Sequence, residues 1–337
     1  MKLEERIEAL TKLRSYLVEP DAEDYKTLLT LAKRHNAWFD ADEVKHALEG
    51  VSSYLTPQCL NSFTSNYRID GESQRVGIVM AGNIPAVGFH DLLCVLLCGY
   101  GADLKLSSDD NVIILQILKW LKELSPELVA DINIVERLDL DKIDKVIATG
   151  SDNTARYFKH YFGRKKHIIR QSRSSVAIIS GDETTEDFTA LASDIFRYYG
   201  LGCRNVTQVF VPKDYSFQVM LDTFMPFEYV LNNNKYANNY SYNRSVALIN
   251  KEEHLDTGYL LVKTNPQIAS PIGTIHVTHY EKYEDVPMLI AQNQDSIQCI
   301  VSKDGGYAGS FPFGQAQSPA IDDYADGVDT MEFLTSI

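Results

Sequence analysis

At 337 residues the chain is longer than one hydrophobic core normally supports, so two domains are expected. A composition of 45% hydrophobic and 23% charged residues is that of an ordinary globular protein and excludes a disordered one. The net charge of -14 argues against a general affinity for nucleic acid, which needs a basic face to displace counterions.

The opening run Met1-Lys2-Leu3-Glu4-Glu5-Arg6 starts an acidic helix and carries no signal-peptide core. Leu3, Ile7, Leu10, Leu13 and Leu17 recur at helical spacing, as do apolar positions between Tyr25 and Leu31 and between Val44 and Leu55. They predict an N-terminal helical segment of about 55 residues. From Arg75 short β-branched runs alternate with helical stretches. Strands are predicted over 75–80, 102–106, 132–135 and 145–149, with a buried helix over 86–98 and an amphipathic one over 111–124. Strand alternating with helix means a parallel sheet, whose ligands collect at the carboxyl ends of the strands. Those ends are Ala81-Gly82-Asn83, Lys105 to Ser108, and Thr149-Gly150-Ser151.

The longest apolar stretch, Val87 to Leu97, contains His90 and Asp91 and falls short of the roughly 18 to 20 residues a membrane helix requires, so no membrane span is expected. Five cysteines without paired spacing suit a reducing compartment, and the reading is a cytoplasmic protein. The run Arg164-Lys165-Lys166-His167-Ile168-Ile169-Arg170 concentrates positive charge in an acidic chain, either as a solvated strand edge or as an anion site.

A further strand at 176–179, a helix at 186–198 and a strand at 208–211 follow, and a second domain is expected to begin near Gly181. Asn232 to Arg244, dense in Asn and Tyr, shows no clear period and reads as a loop or irregular insert. Strands at 275–278 and 297–301 complete a second α/β unit.

Cys94 and Cys98 lie in an apolar helix and read as core thiols, because no His or carboxylate follows at ligand spacing; no metal site is expected. Cys299 reads as a core strand residue, and Cys59 is uninformative. Cys203 differs, since it follows Gly200-Leu201-Gly202 at a helix-to-strand junction, where backbone approaches a ligand closely and a side chain can project into a cleft. A nucleophile and a buried turn cysteine are both compatible with that spacing. Thr149-Gly150-Ser151 suits a phosphate or merely a tight connection, and Asn83 is equally a turn former. The Gly-x-Gly-x-x-Gly fingerprint follows none of the strands.

In order and at their separations these pieces resemble the aldehyde-dehydrogenase superfamily. Gly82-Asn83-Ile84-Pro85 is similar to its Trp-Asn-Phe-Pro loop, Leu104-Lys105-Leu106-Ser107 to its strand ending in Lys-Pro-Ser, and Ala148-Thr149-Gly150-Ser151 to its Phe-Thr-Gly-Ser turn. Gly202-Cys203 falls where the superfamily keeps its nucleophile. Phe311-Pro312-Phe313-Gly314 and the run Val328 to Phe333 resemble its Pro-Phe-Gly-Gly segment and closing strand. Two acids are missing. Arg170-Gln171-Ser172-Arg173 stands where hydrolytic members carry the base-bearing Glu-Leu-Gly-Gly, and Ser270-Pro271-Ile272-Gly273-Thr274 where they carry a ribose-binding Glu. Together with the short chain, this most resembles the LuxC-type fatty-acyl-CoA reductases.

The resemblance implies an α/β fold of the aldehyde-dehydrogenase kind, with N-terminal helices and a Rossmann-like nucleotide-binding domain over 1–180. A catalytic cysteine domain would span 181–311, and 312–337 would return to the first domain or form a dimer interface. It further implies reduction of an acyl-CoA, fatty acyl being favoured, to an aldehyde with release of coenzyme A. Cys203 would be the nucleophile and Asn83, with the Cys203 backbone amide, the oxyanion donor. Lys105, Ser107, Ser108, Thr149, Gly150 and Ser151 would bind the cofactor. Ser108 stands where NAD-preferring relatives often carry a Glu that repels a 2′-phosphate, which favours NADPH and leaves NADH possible; Ser108 could equally cap the helix beginning near Asp109. A homodimer is allowed. A reductase for another activated acyl group, such as an acyl phosphate or a short-chain CoA ester, and a non-catalytic nucleotide- or acyl-binding module are the competing readings.

Overall fold

The computed structural model describes residues 1–19, 22–69 and 73–336. Ile337, the last residue of the expected C-terminal segment, lies outside them. The chain divides into two compact units, Met1–Gln171 with Pro319–Ile337, and Ser172–Ser318.

In the first unit four helices come first: α1 (Leu3–Leu17), α2 (Glu23–His35), α3 (Ala41–Tyr54) and α4 (Pro57–Ser65). Ile7, Leu10, Leu13 and Leu17 form the buried face of α1. Thr56 starts α4 by accepting from the Cys59 amide, with Pro57 in the first turn, where a missing N–H costs nothing. An alternating region follows: β1 (Arg75–Val79), α5 (Phe89–Cys98), β2 (Gly101–Lys105), α6 (Asn111–Leu124), β3 (Ile132–Ile134), β4 (Lys145–Thr149), α7 (Asp152–Phe162) and β5 (Lys166–Arg170). Its five strands pair in parallel in the order β3-β2-β1-β4-β5. Alternate side chains enter two separate cores, Val76, Ile78, Leu104 and Ile147 on one face and Val79, Val146 and Ala148 on the other. Because β2 and β3 extend to one side of β1 while β4 and β5 extend to the other, the chain reverses direction between β1 and β4, the place where doubly wound sheets bind ligands. The basic run 164–170 ends on β5, which is the edge strand.

The second unit comprises β6 (Ser174–Ile178), α8 (Thr185–Phe196), β7 (Val206–Pro212), α9 (Gln218–Phe224), α10 (Asn234–Asn250), β8 (Leu255–Asp256), β9 (Leu261–Thr264), β10 (Thr274–Tyr280), α11 (Val286–Gln292), β11 (Ile297–Ser302) and β12 (Phe311–Pro312). Its strand order is β12-β11-β6-β7-β10-β9-β8, parallel except for the β8–β9 pair. β6 opens this second sheet, so the sheet boundary falls ahead of Gly181.

Three elements differ from expectation. The stretch 232–244, expected to be irregular, is largely helical within α10: the Asn233 side chain caps it by accepting from the Lys235 amide, and Tyr236, Tyr240 and Ala247 make a narrow buried stripe. The expected buried helix starts at Phe89 rather than Ala86, because Ala86 is left-handed with φ 57°. The expected closing strand at 328–333 gives way to a helix, α12 (Thr330–Thr335), capped by Asp329, which accepts from the Glu332 amide.

This C-terminal segment belongs to the first unit, where Met331 and Leu334 enter the core. Buried Lys145 donates to the carbonyls of Phe333, Leu334 and Ser336 at 2.9, 2.7 and 2.7 Å, occupying acceptors that the end of α12 leaves free. Buried Arg170 donates through Nη1 to both oxygens of Asp91 at 2.8 and 2.6 Å, and through Nη2 to the Thr330 hydroxyl at 2.8 Å. Arg170→Ala should therefore destabilise the protein by about 3–5 kcal/mol, because Asp91 stays buried and uncompensated. Arg170→Met combined with Asp91→Leu should recover most of that loss. Urea unfolding of the two variants checks this; equal destabilisation would show that the pair is not what holds the segment.

Candidate active site

In the second unit the candidate nucleophile sits on a turn with unusual backbone. Between α8 and the turn, Tyr198 (φ 52°), Tyr199 (φ 57°) and Gly200 (φ 79°) are successively left-handed. Both tyrosines are buried. A left-handed non-glycine residue costs about 1–3 kcal/mol and persists only where its surroundings enforce it, most often at functional sites. Leu201-Gly202-Cys203-Arg204-Asn205 then leads into β7, with Cys203 itself half-buried.

What enforces the turn is Asn205, fully buried at 0% exposure. Its Oδ1 accepts from the Gly202 amide at 2.7 Å. Its Nδ2 donates to the carbonyls of Asp194, Ile195 and Arg197 at 3.1, 3.2 and 2.8 Å, the last turn of α8. One carboxamide thus fastens the residue before Cys203 to the end of the preceding helix. From the other side Ser175 Oγ, on β6, donates to the Cys203 carbonyl at 3.1 Å. The same Oγ accepts from the Cys299 amide at 3.2 Å and lies 3.0 Å from Cys299 Sγ. The β6–β11 and β6–β7 ladders both shift register beside Ser175, and such bulges re-aim side chains near sites. Burial pushes the Cys299 thiol up to about 11, so it stays protonated.

The Phe311-Pro312-Phe313-Gly314 segment is fixed to the same turn. Arg204 Nη1 donates to the Ala316 carbonyl at 3.1 Å, and its guanidinium lies 5.4 Å from the centroid of the Phe311 ring. Asp194, on α8, accepts from the Gly314 and Ala316 amides at 2.6 and 3.0 Å. The loop Ser270-Pro271-Ile272-Gly273-Thr274, which lacks the superfamily's ribose-binding acid, precedes β10 and is held by Asn243 Nδ2 donating to the Ile272 carbonyl at 2.9 Å.

In the first unit the carboxyl ends of β1, β2 and β4 carry the other candidate residues. Asn83 is exposed in the loop after β1. Lys105 ends β2, exposed, followed by half-buried Ser107 and exposed Ser108. Ser107 Oγ accepts from the Asp109 amide at 3.2 Å. Ser108 is not the cap of α6, which starts at Asn111 after Asp110. Its carbonyl instead faces His35 Nε2 at 2.5 Å, and the Asp109 carbonyl accepts from Asn36 Nδ2 at 3.3 Å, so the end of α2 supports this loop. Thr149-Gly150-Ser151 follows β4, and Ser151 caps α7 by accepting from the Thr154 amide. Arg170, expected from the resemblance to stand at the hydrolytic base, is committed to Asp91 and Thr330 in the core. Among the described residues no three His, Cys, Asp or Glu side chains are grouped to hold a metal ion, and no helix is long and apolar enough to cross a membrane.

Sequence reading singled out Cys203 from its two glycines but missed Asn205, Ser175, Arg204 and Asp194. The polar partners of these four are mostly backbone atoms, which leave no side-chain signature.

The fold is that of the aldehyde dehydrogenases. The chain is similar to the NAD+ complex of aldehyde dehydrogenase from Bacillus cereus, with 16% identity over 90% of this chain and 72% of that one and a TM-score of 0.65. It is also similar to aldehyde dehydrogenase 21 from Physcomitrella patens in complex with the reaction product succinate (14% identity, 99% and 84% covered, TM-score 0.70). A third such structure is the Mycobacterium tuberculosis aldehyde dehydrogenase complexed with NAD+ (14% identity, 90% and 73% covered, TM-score 0.63). The family described as Acyl-CoA reductase (LuxC) matches residues 12–220, a range that contains Asn83, Lys105 and Cys203. The chain belongs to that family. No curated protein matches it.

Burial pushes the Asp194 carboxyl from its usual 3.8 up to about 7, against the two amides that favour its ionised form. The native protein therefore keeps a proton that the unfolded chain releases. The stability this gives is complete below about pH 4 and is lost as pH rises through about 7. Relative to Asp194→Asn, the wild type should lose on the order of 2 kcal/mol between pH 5 and pH 8. Urea titrations at the two pH values check this, and a difference that does not change with pH would refute it.

Proposed function

We propose that the protein reduces an acyl-CoA thioester, fatty acyl being the favoured class, to the aldehyde with NADPH, through an acyl thioester on Cys203. The observation that carries this reading is the Cys203 turn of a LuxC-family chain: half-buried, preceded by three left-handed residues and braced by Asn205 and Ser175.

The first unit fits a dinucleotide on three counts. Its sheet reverses direction between β1 and β4, Lys105 offers an exposed cation at the end of β2, and Thr149-Gly150-Ser151 opens an eleven-residue helix toward which a phosphate would be drawn. In this reading Lys105, Ser107 and Ser108 hold the adenosine ribose and a phosphate on it, and the absence of a carboxylate at Ser108 favours NADPH. When bound, the nicotinamide supplies a hydride to the acyl carbon.

The chain's own residues do the rest. The Cys203 thiolate attacks the thioester carbonyl; the new S–C bond forms as the carbonyl π pair moves onto oxygen, where the Asn83 amide and the Cys203 backbone N–H stabilise it. The oxygen pair returns, the bond to coenzyme A breaks, and coenzyme A leaves as its thiolate. After hydride addition the same two donors hold the oxyanion of the thiohemiacetal. Its collapse breaks the S–C bond and releases aldehyde and the Cys203 thiolate. Ser175 and Asn205 keep the nucleophile's backbone in place throughout. The stretch Arg170-Gln171-Ser172-Arg173 offers no carboxylate to activate water, which suits a thioester that must survive until hydride arrives.

Cys203→Ala should abolish aldehyde formation while nucleotide affinity stays within about twofold. A panel of acyl-CoA chain lengths with NADPH or NADH, followed by absorbance loss and aldehyde trapping, measures it. Iodoacetamide should label Cys203 roughly tenfold or more faster than Cys94 and Cys98, whose thiols burial pushes up, Cys98 to about 12. Acyl-CoA reduction that survives Cys203→Ala would remove the mechanism. Turnover of acyl phosphates but no CoA ester would replace the substrate.

A further inference from the structure

Asp110 is 2% exposed and occupies the N-cap position of α6, yet its side chain accepts no hydrogen bond from its own helix. An aspartate there ordinarily takes an amide of the first turn and stabilises the helix. Asp110 instead reaches out of its loop and accepts from the Ala86 amide at 2.7 Å through Oδ2, while Oδ1 has no hydrogen-bond partner among the described residues. Ala86 is the residue that needs support, since its φ of 57° is a conformation alanine rarely adopts. A second contact joins the same two loops: a Cβ on Gly82 would lie 2.5 Å from Ser107 Oγ and 3.0 Å from the Asp110 backbone nitrogen, so Gly82 packs directly against the Ser107 side chain and the Asp110 backbone. Gly82–Ser107 and Ala86–Asp110 thus bracket the segment Asn83-Ile84-Pro85.

We propose that Asp110 is a positioning residue that couples the loop after β2 to the loop after β1, so that cofactor seated on Lys105, Ser107 and Ser108 fixes the placement of Asn83. This rests on the proposed function for the roles of those four residues. Burial pushes the Asp110 carboxyl well above its usual range. Asp110→Asn is a conservative replacement, because its amide oxygen can take the Ala86 N–H. Asp110→Leu keeps the bulk and removes the acceptor.

Two measurements test the coupling. In hydrogen exchange followed by mass spectrometry, NADPH should slow exchange of the 82–88 segment in wild type and Asp110→Asn, and leave it unchanged in Asp110→Leu even at saturating nucleotide. In kinetics, Asp110→Leu should lower kcat about tenfold or more and Asp110→Asn by about twofold at most, and Asp110→Leu should lower kcat no further in an Asn83→Ala background. A merely structural role predicts multiplying effects on kcat and a segment that responds to NADPH in every variant; either result overturns the proposal, as does a wild-type segment indifferent to NADPH. Should Asp110→Leu fail to fold, Asp110→Ala with Ala86→Gly takes its place, since glycine adopts the left-handed φ unaided. Absence of acyl-CoA reduction by the wild type would instead remove the proposed substrate and leave the exchange experiment to decide the coupling.

Discussion

The carboxamide of Asn205 makes the candidate active site possible. Three consecutive left-handed residues have no intrinsic reason to persist, and the turn that follows must present a sulfur rather than bury it. Asn205 answers both needs by joining the amide of Gly202 to three carbonyls at the end of α8. All of its hydrogen-bonding groups are satisfied at full burial, the condition under which a polar network rigidifies its surroundings. Aspartate would lose the donors and leucine every bond, and either would strand buried backbone groups at about 1–3 kcal/mol each.

Around that amide the second unit is built as a set of braces converging on one turn. Ser175 takes the Cys203 carbonyl between two bulged ladders, Arg204 reaches the Ala316 carbonyl, and Asp194 holds the amides of Gly314 and Ala316. Each brace uses backbone on at least one side, so the geometry is fixed without spending reactive side chains. Cys299 lies in this network, but its raised thiol keeps it from competing as a nucleophile.

Much of the fold was legible in the sequence because its signals are periodic. The inner strands β1, β2 and β4 of the first sheet are largely buried on both faces and read as short apolar runs, and α1 shows its leucines at helical spacing. The helix α10 was hidden because its buried stripe is two tyrosines and an alanine amid asparagines, residues that lower helix propensity and blur the period. Ala86 could not be read, since an alanine's sequence neighbourhood does not disclose a left-handed φ that a distant aspartate sustains. The candidate site was legible as glycine-flanked single residues: Asn83 after Gly82, Cys203 after Gly202, and Ser151 after Gly150. The residues supporting them were not. Lys105 could be placed at the end of its strand, but the support its loop takes from His35 and Asn36 depends on contacts with carbonyl oxygens.

Arg170, one of the two departures from the pattern that the sequence resemblance implies, acquires a physical sense from where its charge went. Asp91 and Arg170 neutralise each other inside the first unit, and Arg170 also holds Thr330 of the returning C-terminal helix. A carboxylate at position 170 would face Asp91 across the same buried space, and two like charges there cannot both ionise. Asp110 and Asp194 show the complementary device, in which burial favours the neutral carboxyl while one oxygen of Asp110 and both of Asp194 accept backbone amides. Each unit thus uses a buried acid as an acceptor for backbone amides, Asp110 in the first and Asp194 in the second.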